Sequence, residues 1–216
     1  MKTLLCSALI EPTQGLQPAS ETPEVYVSYA RGQNEKVVDD MCGLMESTGW
    51  RVIRDKTAMN HGDWISNFMK RLSRSDLVMV VLSTKYLHST WCMAELYGIY
   101  QRALGDKGEF LDRVIPVSLD DAKIADWRDR AEIARHWQKE FKEMKKSLDD
   151  LSVPDFSLYK SMQDWHNRVG DILAYVTDTL RPHGFEEIVK DDFAGLTPDA
   201  SGEARSVSRL HRLRYD

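Results

Sequence analysis

The chain has 216 residues, of which 42% are hydrophobic, and it carries a formal net charge of −5. This length suits one globular domain with flexible ends, and the acidic balance gives no general electrostatic case for binding nucleic acid. Cysteines stand only at Cys6, Cys42 and Cys92, without CxxC or Cys/His metal spacing. We therefore expect no metal site and a reducing, cytoplasmic location, with Cys42 and Cys92 as small core residues.

The ends of the chain give no membrane signal. The apolar N-terminal stretch is short and runs into Glu11-Pro12 without a signal-peptide cleavage pattern. No window approaches the roughly 18 apolar residues that span a bilayer. We expect residues 1–22 to be a flexible lead-in, 23–185 to be the domain, and 186–216 to be a flexible tail or linker, because both ends are rich in turn-forming residues.

The first half of the domain alternates short apolar runs with amphipathic segments. Strands are predicted at 24–29, 51–54, 77–82 and 113–119. Helices are predicted after the first three strands, beginning near residues 35, 63 and 91. Pro116 within the fourth strand predicts an edge position or a bulge, because proline cannot donate to the ladder. This alternation predicts an α/β fold with a central parallel sheet and helices on both faces.

The second half is more helical. Helices are predicted at 126–148 and, as one continuous amphipathic segment, at 158–180. Trp127, Trp137 and Trp165 lie at helical spacing and are interpreted as core or interface residues. We interpret the helical stretch 121–160 as an extra segment of the C-terminal half, added after the alternating strands and helices of the first half.

The stretch from Ser83 to Leu96 is the most informative part of the chain. It follows the wholly apolar run 77–82, and parallel sheets place ligand sites at the carboxyl ends of their strands. Trp91 and Glu95 are four residues apart, so on a helix they share one face. An indole beside a carboxylate suits a planar, cationic ring. The alternatives are a core tryptophan and a solvated glutamate.

Other candidate binding residues follow neighbouring strands. The first strand ends in a segment that could bind an anion, because its exposed backbone N–H groups and a guanidinium suit a pyrophosphate. The residues of this segment are Ser28, Tyr29, Ala30 and Arg31. The alternative for Arg31 is a solvated loop charge. Asp55 either binds a ligand or holds its own loop, and Ser83 either lines the pocket or caps the following turn.

Several motifs occur together in a characteristic order. They are Val25-Tyr-Val-Ser-Tyr29, Gly49-Trp-Arg-Val-Ile-Arg-Asp55, Gly62-Asp63, the box Ser-x-x-Tyr-x-x-Ser-x-Trp-Cys-x-x-Glu-Leu at 83–96, and Val114-Ile-Pro-Val117. In this order and spacing they resemble a Toll/interleukin-1 receptor (TIR) domain. The box at 83–96 is especially similar to that of plant immune receptors and bacterial defence TIR proteins.

The resemblance implies a flavodoxin-like fold and, in the NAD-cleaving branch, hydrolysis or cyclisation of NAD+ with release of nicotinamide. It implies Glu95 as the catalytic residue, with Ser28, Tyr29, Ala30, Arg31, Asp55, Ser83 and Trp91 binding the substrate. NAD+ is then a substrate and no cofactor is expected. Expected partners are further copies, bound through TIR–TIR contacts that include loop 55–62, and a sensor domain or protein. No direct contact with nucleic acid or membrane is expected.

Two classes of function stay open at this point. The first is an NAD+-consuming enzyme that self-association activates in an immune, antiviral response. The second is a non-enzymatic scaffold that uses the fold only for TIR–TIR signalling contacts. The presence of Glu95 in its box favours the enzyme. A phosphoacceptor receiver is excluded by Ser-Tyr-Ala-Arg at the end of the first strand, and no P-loop or Gly-x-Gly-x-x-Gly motif is present.

Overall fold

The computed structural model describes residues 22–32, 34–54, 71–72, 75, 77–150 and 156–179. Asp55, loop 55–62 and the helix predicted from residue 63 lie outside the described residues, apart from residues 71–72. The lead-in before residue 22 and the tail 186–216 also lie outside them. The predicted domain limits therefore stay predictions.

The described strands form one parallel sheet. They are β1 (Glu24–Tyr29), β2 (Arg51–Arg54), β3 (Val78–Leu82) and β4 (Val114–Ser118), in the order β2-β1-β3-β4. The predicted limits of β1 and β2 are confirmed to the residue, and β3 and β4 are slightly shorter than predicted. Pro116 lies in β4, opposite Val80, at the outer side of the described sheet. This edge position was one of the two predicted for it.

The carboxyl ends of β1 and β3 lie side by side, with Tyr29 opposite Val81. From this central pair the chain proceeds to β2 on one side and to β4 on the other. In doubly wound sheets this reversal of strand order opens a crevice at the carboxyl ends of the strands, where ligands bind. The order therefore matches the predicted flavodoxin-like α/β fold and locates its crevice.

Helices cover both faces of the sheet. Those described are α1 (Glu35–Ser47), α2 (Thr84–Leu87), α3 (Thr90–Arg102), α4 (Lys107–Arg113), α5 (Trp127–Asp150), α6 (Phe156–Trp165) and α7 (Val169–Thr179). The short helices α2 and α4 were not predicted. Asp106 begins α4 by accepting a hydrogen bond from the Glu109 backbone N–H at 2.8 Å.

The prediction of one continuous helix over 158–180 is wrong. The chain turns at 166–168, where the Arg168 backbone N–H donates to the Trp165 carbonyl, and α7 then begins. The turn redirects the chain, so that α6 packs against α3 whereas α7 packs against α4, and both contact α5. Periodicity alone missed the turn because Trp165 and Val169, one on each side of it, are both fully buried.

Two apolar clusters flank the sheet. The major core contains buried residues of α3, α5, α6 and α7, and the minor core joins α1 and Trp50 to the sheet. Trp137 and Trp165 meet edge to face in the major core, with ring centroids 4.8 Å apart, which confirms their predicted burial. Trp127 is 62% exposed, so it is not a core residue.

The two described cysteines also behave as predicted. Cys42 lies buried in the minor core and Cys92 in the major core, both as free thiols. Burial is the main reason that the pKa of Cys42 is raised. Both side chains therefore serve as small apolar packing groups.

Candidate functional site

Glu95 and Ser28 meet at the crevice between β1 and β3. Glu95 lies in α3, half-buried, and its Oε2 accepts a hydrogen bond from Ser28 Oγ at 2.6 Å. Ser28, the penultimate residue of β1, is 1% exposed. The structure thus brings together the predicted catalytic carboxylate and a predicted binding residue. Because Ser28 is buried and bonded to Glu95, it would influence a ligand in the crevice through the Glu95 carboxylate.

Helix α3 carries Glu95 to this position because its start is fixed at the strand ends. Ser89 caps α3, and its Oγ accepts from the Cys92 backbone N–H at 3.4 Å. Cys92 Sγ in turn lies 3.8 Å from the carbonyl oxygen of Tyr29, at the end of β1. The first turns of α3 are therefore anchored directly to β1.

Tyr86 completes a row of three polar side chains. Its hydroxyl lies 2.9 Å from Ser28 Oγ, and the whole side chain is buried in the major core. Burial raises the pKa of Tyr86 well above its ordinary value, and the neighbouring Cys92 and Glu95 raise it further. The phenol is therefore neutral and keeps its proton. The sequence pattern includes Tyr86 in the box at 83–96 but does not indicate a role for it.

Ser83 holds Tyr86 from the backbone side. Ser83 is the N-cap of α2, and its Oγ accepts from the Tyr86 backbone N–H at 3.0 Å. Of the two roles predicted for Ser83, capping is the one that the contacts confirm. Pocket lining stays a prediction, since Ser83 is only 4% exposed.

The loop after β1 is held by a lysine that sequence reasoning missed. Lys85 Nζ donates to the Arg31 carbonyl oxygen at 2.5 Å. Gly32 has φ +121°, and a Cβ there would lie 2.7 Å from Lys85 Nζ. The positive φ favours glycine at this position, whereas the lysine ammonium is the end of a flexible side chain that could move aside.

The other predicted binding residues of this loop face different surroundings. The Tyr29 ring is buried in the minor core, whereas Ala30 is half-buried against the major core and the Arg31 side chain is exposed. Any contact of Tyr29 with a ligand would involve its backbone. Pyrophosphate binding by this loop stays a prediction.

Trp91 lies in the first turn of α3 with 45% of its surface exposed. Its alternative interpretation as a core residue is therefore wrong, and stacking against a ligand stays a prediction. Asp55 lies outside the described residues, so its role also stays a prediction. An exposed indole and a half-buried carboxylate thus lie one helical turn apart beside the crevice.

The described part of the chain also bears on metal binding and on membrane insertion. Across these residues, no group of three or more His, Cys, Asp or Glu side chains is arranged to hold a metal ion. Within the same ranges, every helix is too short or too polar to cross a lipid bilayer.

Comparison with known proteins identifies the family. The model of the TIR domain matches residues 25–148. Among solved structures, the chain is similar to the TIR domains of the activated Roq1 resistosome directly recognizing the pathogen effector XopQ, at 17% identity and a TM-score of 0.46, over 74% of this chain and 98% of that one. No curated protein matches significantly. Because the family model covers more than half of its length, the chain belongs to the TIR domain family.

Proposed function

We propose that this TIR domain cleaves the nicotinamide–ribose bond of NAD+, releasing nicotinamide and ADP-ribose or a cyclic isomer. The observation that carries the proposal is the placement of Glu95. Its carboxylate is half-buried at the crevice between β1 and β3, held by Ser28 at 2.6 Å, one helical turn from the exposed Trp91. A carboxylate fixed in this way is suited to act on a bound cationic substrate.

The chemistry asks for one carboxylate rather than an acid–base pair. The C1′–N bond breaks with its electron pair leaving on the nicotinamide nitrogen, so a cationic ring departs as neutral nicotinamide and needs no proton. Positive charge develops on the ribose, as in other glycosidic cleavages. A preoriented carboxylate stabilises that charge. Water then adds at C1′ and releases a proton, or an internal nucleophile of the substrate adds instead and gives the cyclic isomer.

The remaining predicted residues are assigned to binding. The Trp91 indole stacks on the nicotinamide or a ribose face, and the backbone of Tyr29 and Ala30 with the Arg31 guanidinium faces the pyrophosphate. Asp55, which lies outside the described residues, is assigned to a ribose hydroxyl. Support for the first two assignments is the exposure of Trp91 and Arg31 at the carboxyl edge of the sheet.

We further propose that the activity depends on self-association in an immune, antiviral response, with contacts between copies through loop 55–62 and with a sensor that is a further domain or a separate protein. The support is the family resemblance at the box 83–96. The test measures specific activity over a range of protein concentrations. We expect the rate per protomer to fall on dilution, and a constant rate would contradict activation by self-association.

The direct test incubates concentrated protein with NAD+ and measures nicotinamide release by chromatography. Glu95→Gln keeps the size and hydrogen-bonding shape of the side chain but removes the charge. We expect it to lower kcat by about 10²–10³-fold, the loss typical of a removed electrostatic stabiliser. The matched control is Glu132→Gln in α5, where the carboxylate is solvent-exposed, and its rate should equal that of the native protein.

Two results would overturn the assignment. Equal rates for Glu95→Gln and the native chain would remove Glu95 from catalysis. Absence of nicotinamide release at every protein concentration, including under crowding, would leave the TIR–TIR scaffold as the function. Where nicotinamide is released, mass spectrometry of the second product distinguishes ADP-ribose from its cyclic isomer.

A further inference from the structure

We propose that Tyr86 is a positioning residue that orients the Glu95 carboxylate through Ser28, by a one-way chain of hydrogen bonds. The proposal rests on the proposed cleavage of NAD+ and adds to it a buried residue that does not touch the substrate. The chain consists of the Tyr86 hydroxyl, Ser28 Oγ and Glu95 Oε2, joined by distances of 2.9 and 2.6 Å.

The direction of the chain follows from counting hydrogens. An ionised carboxylate only accepts, so the Ser28 hydroxyl must spend its single hydrogen on Glu95. Ser28 Oγ then has only lone pairs left for Tyr86, and the phenol must donate to it. A neutral phenol is needed for this, and the raised pKa of Tyr86, caused mainly by burial, keeps it neutral.

The anchor of the chain is rigid. The Tyr86 ring is fully buried in the major core, and its backbone N–H donates to Ser83 Oγ at 3.0 Å. On the next residue, the Leu87 carbonyl accepts from Trp137 Nε1 at 2.9 Å. Helix α5 therefore holds the segment that carries Tyr86. The half-buried Glu95 lies at the opposite, solvent-facing end of the hydrogen-bonded row, so the fixed position of Tyr86 in the core restricts the orientation of the carboxylate.

A hydrogen-bonded relay of this kind favours catalysis in two ways. It fixes the rotamer of Glu95 before substrate binds, and small misplacements of a catalytic group are costly. It also favours the ionised form of the carboxylate, since a hydrogen bond donated to the charged form stabilises it. A tyrosine that merely satisfied its own buried hydroxyl would have neither effect on the reaction.

The test compares Tyr86→Phe, which removes only the hydroxyl, with Ser28→Ala, which removes the link. We expect kcat to fall about five- to tenfold in Tyr86→Phe and about ten- to a hundredfold in Ser28→Ala, with KM within about twofold of native. The acidic limb of the kcat–pH profile should move to higher pH in both. The matched control is Tyr97→Phe, two residues from Glu95 in α3, whose hydroxyl contacts Gln101. It should keep the native kcat and pH profile.

The double variant decides whether Tyr86 acts through Ser28. If it does, Tyr86→Phe has no further effect on kcat in the Ser28→Ala background, because the chain is already broken. If the fold-losses of kcat in the two single variants multiply in the double variant, Tyr86 has an independent, merely structural role and the proposal is overturned. An unchanged kcat in Tyr86→Phe, with native release of nicotinamide and an inactive Glu95→Gln, would overturn the positioning role and leave the proposed function standing.

The same comparison of single and double variants can be made by urea unfolding, which needs no enzymatic activity. Coupled shifts of the unfolding midpoint for Tyr86→Phe and Ser28→Ala, and for Ser28→Ala and Glu95→Gln, support the chain. Additive shifts in both pairs overturn it. A native protein that releases no nicotinamide would refute the proposed function, while this measurement still decides whether the three side chains are linked.

Discussion

Along β3 every side chain from Val78 to Leu82 is apolar and buried, whereas the adjoining strand β1 carries the polar and equally buried Ser28 at its penultimate position. The centre of the sheet gains stability because apolar surface leaves water. At the carboxyl edge, the buried hydroxyls of Ser28 and Tyr86 lie within hydrogen-bonding distance of each other, and Ser28 also donates to the half-buried Glu95.

The difference separates what stabilises the fold from what serves the site. A buried polar group costs free energy unless it is hydrogen-bonded, so a sequence optimised only for stability would place apolar residues at both locations. The polar row at the edge is therefore the part of the core that demands a functional explanation. Substitutions at the centre and at the edge should accordingly change different measured quantities.

The largest effect on stability is expected from Trp165→Ala in the major core. Trp165 is fully buried against Trp137, and its Nε1 has no hydrogen-bond partner among the described residues, so the loss is one of packing. We expect the free energy of unfolding to fall by about 3–5 kcal/mol. Urea denaturation followed by circular dichroism measures it, while nicotinamide release per folded molecule stays native.

Trp127→Ala is the matched control, because this indole is 62% exposed and its described ring contact is the Arg128 guanidinium, 4.9 Å from the ring centroid. Its removal should cost below about 1 kcal/mol. Similar losses for the two tryptophans would mean that burial is not what distinguishes them, and the comparison of centre with edge would lose its basis.

A smaller effect, at the edge itself, is expected from Ser83→Ala. This substitution removes the cap of α2 and the bond from Oγ to the Tyr86 backbone N–H at 3.0 Å. Loss of a serine cap costs about 1 kcal/mol. Because Tyr86 loses its backbone anchor, nicotinamide release should also fall, by about threefold, a free-energy change below that of the lost cap.

Ser89→Ala is the counterpart in α3, where the cap bond to Cys92 is longer, at 3.4 Å. Its loss should be smaller than that of Ser83→Ala in unfolding free energy. Activity that falls more in Ser89→Ala than in Ser83→Ala would indicate that the start of α3, rather than Tyr86, sets the position of Glu95.

Much of the fold was predictable because the centre of the sheet obeys simple burial patterns. The limits of β1 and β2 followed from short segments between turn residues. The missing N–H of Pro116 predicted an edge position or a bulge, and the described strands place it at the edge. The break between α6 and α7 was not predictable from periodicity. It depends on which helix each half packs against, and that is a property of the tertiary structure.

The candidate site was predicted only where a motif names its residues. Glu95 and Ser28 were both predicted, but their direct hydrogen bond was not, since their separation of 67 residues hides it. Tyr86 and Lys85 were missed because a tyrosine or a lysine in a polar stretch is usually interpreted as solvated. The signal for Tyr86 was its place three residues after Ser83, at the spacing of a cap, directly beyond a buried strand.

The smallest effect is expected from the titration of His136, where α5 meets the segment that carries Tyr86. Burial lowers the pKa of His136 from its ordinary value of 6.5, and His88, with ring centroids 4.6 Å apart, lowers it further. Lys139 acts in the same direction, while Glu140 and Glu143 oppose it. The unfolded chain therefore takes up this proton at a higher pH than the folded one.

Because the pKa of His136 is lower in the folded than in the unfolded chain, the free energy of unfolding falls as the pH drops through 6.5. The loss ends once the pH is below the folded-state pKa of His136. His136→Gln removes the contribution, so the decrease in Tm between about pH 7.5 and about pH 5 should be smaller than in the native protein. His88→Gln should remove only part of it, because burial, the larger cause, remains. A steeper pH dependence in His136→Gln would mean that protonation strengthens the contact between α5 and α2, and that this end of the major core tolerates charge as the carboxyl edge does.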